Sequence, residues 1–387
     1  MDNDFSTLAD ANTSPMAQPD QARTVVKVSS PADILGVIPH RLGFHPTESL
    51  VVINLHGPRR RDELVMRFDL PPHDQDRALA DEVVGRLLDR GADATVLACY
   101  TDLPAPRFGL ARGPLLRLLR KQLRRAGIEV VDALLVSGGR WWSFLCQDER
   151  CCPSGGTEVR SELTPAAGLY AAESVRTGAV VLPDRAALEA SVEAGTVVDP
   201  GQVDRAIERV VALRTPGSEL AMRVRLGAPA DADADDVDVE GDGEFRATDL
   251  LSQAVEVQAE RLLARWTVGG GVNVDDALFV ALGMQSIVTR DRVLGLLAEH
   301  DAGMLTGLFA EIVRLTPDEH AAPVCAGLAW FAYGSGDGAL AGVAAERALR
   351  VDPTYNLARL VLVGMSSMAP PSALREVSAA VRAEIDS

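Results

Sequence analysis

Aromatic residues make up only 4% of this 387-residue chain, and basic residues are scarce beside acidic ones, 38 against 55, for a formal net charge of −17. That excess of acid works against nonspecific attachment to nucleic acid or to an anionic membrane, since both recruit protein through Lys and Arg. Uninterrupted apolar runs are missing as well. The longest candidate, around Val324 to Tyr333, is broken by Gly327 and bounded by Gly334, short of the roughly 18 residues a spanning helix requires. The first 23 residues carry neither a basic start followed by an apolar block nor a small-residue cleavage pattern, so they read as a disordered tail rather than a secretory signal. Cysteine is rare, five in all, and without a secretory signal such thiols are expected to stay reduced in the cytoplasm. Phosphate loop, dinucleotide fingerprint, hydrolase triad and metalloprotease motif are all lacking. The triple glycine Gly269–Gly271 follows no strand and has no Lys-Ser/Thr ending, and the calcium-like run from Asp236 has Ala247 where a bidentate Glu is needed.

Hydrophobic residues are plentiful at 47%, enough for two cores, and the length favours two domains. From Thr24 to about Cys146 short β-rich runs alternate with helical stretches, which implies an α/β domain. Strands are expected at 24–29, 49–55, 63–70, 94–101, 129–137 and 140–146, with helices after Ser30-Pro31, over 76–90 and over 112–126. The connections His56–Asp62 and Gly138-Gly139 are too short for crossovers and must be hairpins, so the sheet is mixed. Probable helices over 165–177, 185–194 and 203–214 are expected to pack on this sheet, which closes the domain at residue 225.

Eight acids lie between Asp231 and Glu244, and 226–246 reads as a solvated acidic linker. Beyond it every segment has helical period, so residues 247–387 are expected to form an all-helical domain, either a bundle or a degenerate helical repeat. The stretch AGLAWFAYGSGDGALAGVAAERALRVDPTY is similar to one tetratricopeptide repeat, with Gly336 and Gly338 turning the chain and Ala344, Ala345 and Ala348 permitting close helix contact.

Two further stretches carry a wider resemblance: SPADILGVIPHRLGFHPTESLVVINL and DALLVSGGRWWSFLCQDERCCPSGGTEV. Both resemble the actinobacterial family catalogued as domain of unknown function 4192, and the likeness continues through VVLPDRAALEAS to GDGALAGVAAERALRVDPTYNLARL. The resemblance implies an intracellular bacterial protein and brings no activity or catalytic residue with it.

Candidate chemistry falls in four places. Cys146, Cys151 and Cys152 place three thiols in one short loop, where they can bind zinc, serve as buried structural cysteines, or act as redox or nucleophilic thiols. His45 in GFHPTES can be a base or ligand. The bland alternative is a turn built by Pro46 and Ser49, favoured because the loop enters a strand at its amino end, whereas active groups gather at carboxyl ends. Trp141 and Trp142, consecutive in a strand, must face opposite sides of the sheet, one in the core and the other covered by helices or stacked on a ligand. Arg117, Lys121 and Arg124 share the face of a helix opposite Leu115, Leu119 and Leu123, either as an anion-binding stripe or as an ordinary solvated face. The leading expectation is a partner-binding or regulatory protein with a protein partner. The alternatives are an α/β enzyme near the Trp-Cys segment and an anion- or nucleic-acid-binding module.

Overall fold

The computed structural model describes residues 30–57, 61–103, 111–146, 148–150, 152–160, 164–177, 180–195, 198–215, 247–367 and 369–385. The expected tail, the strand at 24–29, Cys151 and the acidic stretch 226–246 lie outside these residues. The chain divides into two compact units. One runs from the first described residue to Arg176 and takes in Val180–Arg185; the other runs from Ala186 onward.

The first unit opens with helix α1 (Pro31–Leu42), started by the Ser30 side chain accepting from Asp33 N and stopped by Gly43 at φ 74°, a left-handed position that suits glycine. Strands β1 (Ser49–His56) and β2 (Arg61–Asp69) form the expected hairpin. Helix α2 (Asp76–Asp89) leads to β3 (Ala94–Tyr100), α3 (Gly113–Arg125) to β4 (Glu129–Ser137), and a two-glycine turn to β5 (Arg140–Ser143). A two-residue strand that the sequence did not suggest, β6 (Thr157–Glu158), completes the order β2-β1-β3-β4-β5-β6. Helix α4 (Pro165–Thr177) follows. Only β3 and β4 are parallel, joined through α3; every other neighbouring pair is antiparallel. The sheet is therefore mixed, as its two short connections require.

Leu50, Val52, Leu97, Cys99, Ala133 and Leu135 of the sheet meet Leu79, Val83 and Leu87 of α2 and Leu115, Leu119 and Leu123 of α3. The alternate residues Val51, Ile53, Val96, Ala98 and Leu134 are buried too, so the central strands are covered on both faces and read as continuous apolar runs. Each buried leucine of α3 contributes roughly 1.5–3 kcal/mol. Strand β5 ends three residues earlier than expected because Ser143 Oγ accepts from the backbone of both Leu145 and Cys146, each at 3.0 Å, and turns the chain. Trp141 is buried while Trp142, facing the α2–α3 side, packs under the loop of Gly155 and Gly156 and donates from Nε1 to Ser154 O at 3.1 Å.

The second unit contains α5 (Arg185–Ser191), α6 (Pro200–Arg214), α7 (Ala247–Thr267), α8 (Val274–Gly283), α9 (Ile287–Gly295), α10 (Ala302–Arg314), α11 (Asp318–Ser335), α12 (Gly338–Val351), α13 (Asn356–Ser366) and α14 (Pro371–Ile385). The repeat-like stretch forms the packed pair α11 and α12, with Gly336 at φ 90° ending one helix and Asp337 capping the next. Among the described residues no helix is long and apolar enough to cross a membrane.

Helices α5 and α6, expected to belong with the sheet, fall in the second unit instead. Helix α6 packs on α7 and α8: Arg209 stacks its guanidinium 3.8 Å over the Phe279 ring, and Arg205 and Arg209 pair with Asp275 and Asp276. The carbonyl of Val192 and the carboxylate of Glu193, just after α5, both engage Arg347 of α12. The division thus precedes α5 and does not coincide with the acidic stretch.

Two expected outcomes test this arrangement. Protease cleavage confined to 226–246 is expected to leave pieces that co-elute on gel filtration until denaturant is added, because α6 stays on α7 and α8. Separate elution in buffer would show that this packing is not present. For the Trp142 contact, a Cβ at Gly156 would lie 2.4 Å from the indole and φ there is +74°. Gly156→Ala is expected to destabilise by about 2–4 kcal/mol, combining left-handed strain with overpacking. Gly139→Ala, at φ +71° with nothing within 4 Å of the new methyl, should lose only about 1–2 kcal/mol. Equal losses in denaturant melts would rule out the indole contact.

Candidate functional site

Because β1 runs antiparallel to β3, its amino end lies at the carboxyl end of the parallel pair. Asp69, Ser49, Tyr100 and Val136 stand in register across this edge. The GFHPTES loop therefore enters the sheet where ligands of α/β proteins are usually held. An amino-end position counts against the loop only in a parallel β1, and β1 is antiparallel to both of its neighbours.

The loop is anchored at both ends. His45 N donates to Leu182 O at 3.0 Å and Leu70 N donates to Glu48 O at 3.0 Å. Ser49 Oγ donates to Thr47 O at 2.6 Å and accepts from Arg67 Nε at 2.8 Å. Ser49 thus bonds locally, as expected of it, and the His45 side chain is exposed.

The residue that the loop aims at the edge is Glu48. One of its carboxylate oxygens accepts from Thr101 Oγ1 at 2.8 Å and from Asp102 N at 2.6 Å; the other lies 3.9 Å from Arg112 Nη2. Arg112 Nη1 in turn donates to Pro71 O at 2.8 Å and to Asp76 Oδ1 at 3.4 Å, beside His73 Nδ1 at 3.4 Å. The Arg112 side chain is 8% exposed, against 44% for Glu48. Its Nε is buried without a hydrogen-bond partner among the described residues. The phenol of Tyr100 is likewise buried without a partner there, and burial pushes its pKa up.

Glu48 at φ 38° and Arg112 at φ 55° are the two non-glycine residues with positive φ among the described residues, and they meet at this edge. Each left-handed residue costs of order 1–3 kcal/mol and persists only where its surroundings impose it, commonly at ligand sites. Arg112 is also the N-cap position of α3, which among the described residues has no side-chain cap and no acid in its first turn, so nothing there offsets the positive end of the helix dipole.

Of the basic stripe, Arg117 folds back to this helix end, with Nη1 3.0 Å from where a Cβ on Gly113 would lie. Lys121 and Arg124 are exposed further along α3. Trp141 pairs with Val136 and Trp142 with Leu135, so the two tryptophans reach this same edge of the sheet, on the far side of β4 from Glu48. They sit in β5 at the side of the sheet, the first in the core and the second under its loop. Cys146 and Cys152 are half-buried, and Cys151 lies outside the described residues. Cys99 and Cys325 are buried, and burial pushes both thiols up to about 12, which keeps them protonated and unreactive.

Sequence reasoning passed over Glu48, Asp76, Thr101 and Arg112, which touch in pairs 36 to 64 positions apart along the chain. The one sequence signal available was the basic residue just ahead of Gly113-Pro114, a helix start without a capping side chain. No curated protein and no solved structure matches the chain. The family model described as a domain of unknown function (DUF4192) matches residues 31–372, and the chain belongs to that family.

Proposed function

We propose that the chain is a ligand-responsive binding protein, in which the carboxyl-edge site of the α/β unit takes a small phosphorylated or carboxylated polyol. The observation that carries this reading is the meeting of the strained residues Glu48 and Arg112 at that edge. The anionic group fits the uncapped end of α3 with Arg112 and Arg117, as helix N-termini hold anions elsewhere. Hydroxyls fit the exposed carboxylate of Glu48, an acceptor whose charge Arg112 already balances in part. Free thiols at Cys99, Cys146 and Cys325 support work in the reducing cytoplasm. An enzyme at the same edge is the alternative, and turnover of a bound compound would replace the binding reading.

The test is calorimetric titration with nucleoside monophosphates and sugar phosphates. One of these is expected to bind, and Glu48→Gln and Arg112→Lys, both checked for folding, are each expected to weaken it at least tenfold. Absence of binding across the set, or equal affinity in both variants, would refute the assignment.

A second reading rests on the helical unit and keeps a protein partner in view. Leu360 and Val363, three residues apart on α13, are 65% and 62% exposed directly after the α11–α12 pair, and such a pair of neighbouring apolar side chains suits a docking point. Captured from native cells, the full chain is expected to retain a specific protein that Leu360→Glu with Val363→Glu releases without altering the melting temperature. Identical capture by both forms would count against this surface.

A further inference from the structure

The helical unit brings together one imidazole and two carboxylates. Glu260 lies on α7, while Glu299 and His300 lie in the turn between α9 and α10, and one ligand atom from each falls within 4.8 Å of the other two. His300 Nε2 is 3.9 Å from Glu260 Oε1, beyond hydrogen-bonding reach. That nitrogen is shut off from solvent and has no hydrogen-bond partner among the described residues. A buried polar atom left unpaired costs roughly 1–3 kcal/mol and calls for an explanation, of which a bound ion is one.

The surrounding charges favour a cation. Buried Glu256 is held by both Arg292 and Arg382, and Arg382 Nε also donates to Glu299 Oε1 at 2.8 Å. Three carboxylates, Glu256, Glu260 and Glu299, thus face two guanidiniums. The remaining negative charge rests on Glu260, the carboxylate nearest His300. The second oxygen of Glu299 is available to an ion even while the first keeps its arginine.

We propose that Glu260, Glu299 and His300 form a binding site for one divalent transition-metal ion that accepts nitrogen and oxygen ligands, such as Zn2+. Bonds of about 2.0–2.2 Å to imidazole and carboxylate put tetrahedral ligand atoms about 3.4 Å apart. Side-chain rotations therefore suffice to close the observed cluster around an ion. The three side chains are between one third and one half exposed, which leaves a path for entry and room for water as the fourth ligand. The ion would tie α7 to the turn ahead of α10, a bracing role independent of the carboxyl-edge site.

Co2+ titration of the chelator-treated full chain tests this, because cobalt reports its ligands by absorption. To remove the thiols as competitors, the titration uses a form carrying Cys146→Ser, Cys151→Ser and Cys152→Ser. About one equivalent is expected to bind, with visible ligand-field bands and a raised melting temperature, and Zn2+ should displace it. Glu260→Gln and His300→Gln, whose metal-free melting temperatures serve as folding controls, are each expected to weaken binding at least tenfold. Failure of the thiol-free form to bind cobalt overturns the site. So does binding that neither substitution weakens.

Discussion

The antiparallel placement of β1 beside β3 is the constraint on which the α/β unit turns. It brings the amino end of β1 and the carboxyl ends of β2, β3 and β4 to a single edge. Three separate connections are thereby forced together: the GFHPTES loop before β1, the turn from β2 to α2, and the crossover from β3 to α3. Were β1 parallel, Glu48 would lie at the opposite edge from Thr101 and Arg112, and neither of its hydrogen bonds to Thr101 and Asp102 would form. The carboxylate needs those bonds in place. Left half-buried with no donors, it would lose solvation without compensation.

Burial of charge organises the helical unit in a different way. Arg347 is 1% exposed, yet its guanidinium reaches the carbonyls of Val192 and Val313 and the carboxylate of Asp318. An arginine this deep tolerates its position only because several acceptors surround it. Two of its neighbours, Val192 and Glu193, come from the segment after α5, so α5 and α6 are tied to helices far along the chain. Removing the cation would leave those acceptors unmatched, a loss typically larger than the net worth of such a pair when intact.

Local signals were legible where the chemistry is local. Ser30-Pro31 started α1, glycines closed helices, alternating tryptophans took opposite faces, and the two short connections made hairpins. What the sequence did not show was pairing at a distance. Nothing near Ser49 says that its neighbour Tyr100 lies on a strand running the other way, so the edge to which the preceding loop belongs is not legible there. The affiliation of α6 failed for a related reason. The acidic run at 231–244 is the sharpest change of composition in the chain and attracts a boundary, but the buried face of α6, with Ala206, Val210 and Leu213, is apolar enough to suit a sheet or a helix equally. Only the match of Arg205 and Arg209 to Asp275, Asp276 and Phe279 selects the helices, and that match has no sequence signature.

The choice of residue at the strained positions separates turn chemistry from site chemistry. In the same unit the chain adopts positive φ at Gly43, Gly57, Gly138 and Gly139, where a turn or helix end needs the conformation and no side chain. Glycine meets that need without the steric penalty of a Cβ. At 48 and 112 the same backbone region is occupied by a glutamate and an arginine, neither of which favours it; asparagine would be the usual compromise if only a turn were needed. The side chains at these two positions must therefore supply something that outweighs roughly 1–2 kcal/mol of left-handed strain apiece. Their hydrogen bonds to Thr101, Asp102 and Pro71 account for part of it by fixing the edge. Among the described residues those bonds leave the buried Nε of Arg112 without a partner and set the second carboxylate oxygen of Glu48 only 3.9 Å from Arg112 Nη2, so the pair keeps hydrogen-bonding capacity that fixing the edge does not use.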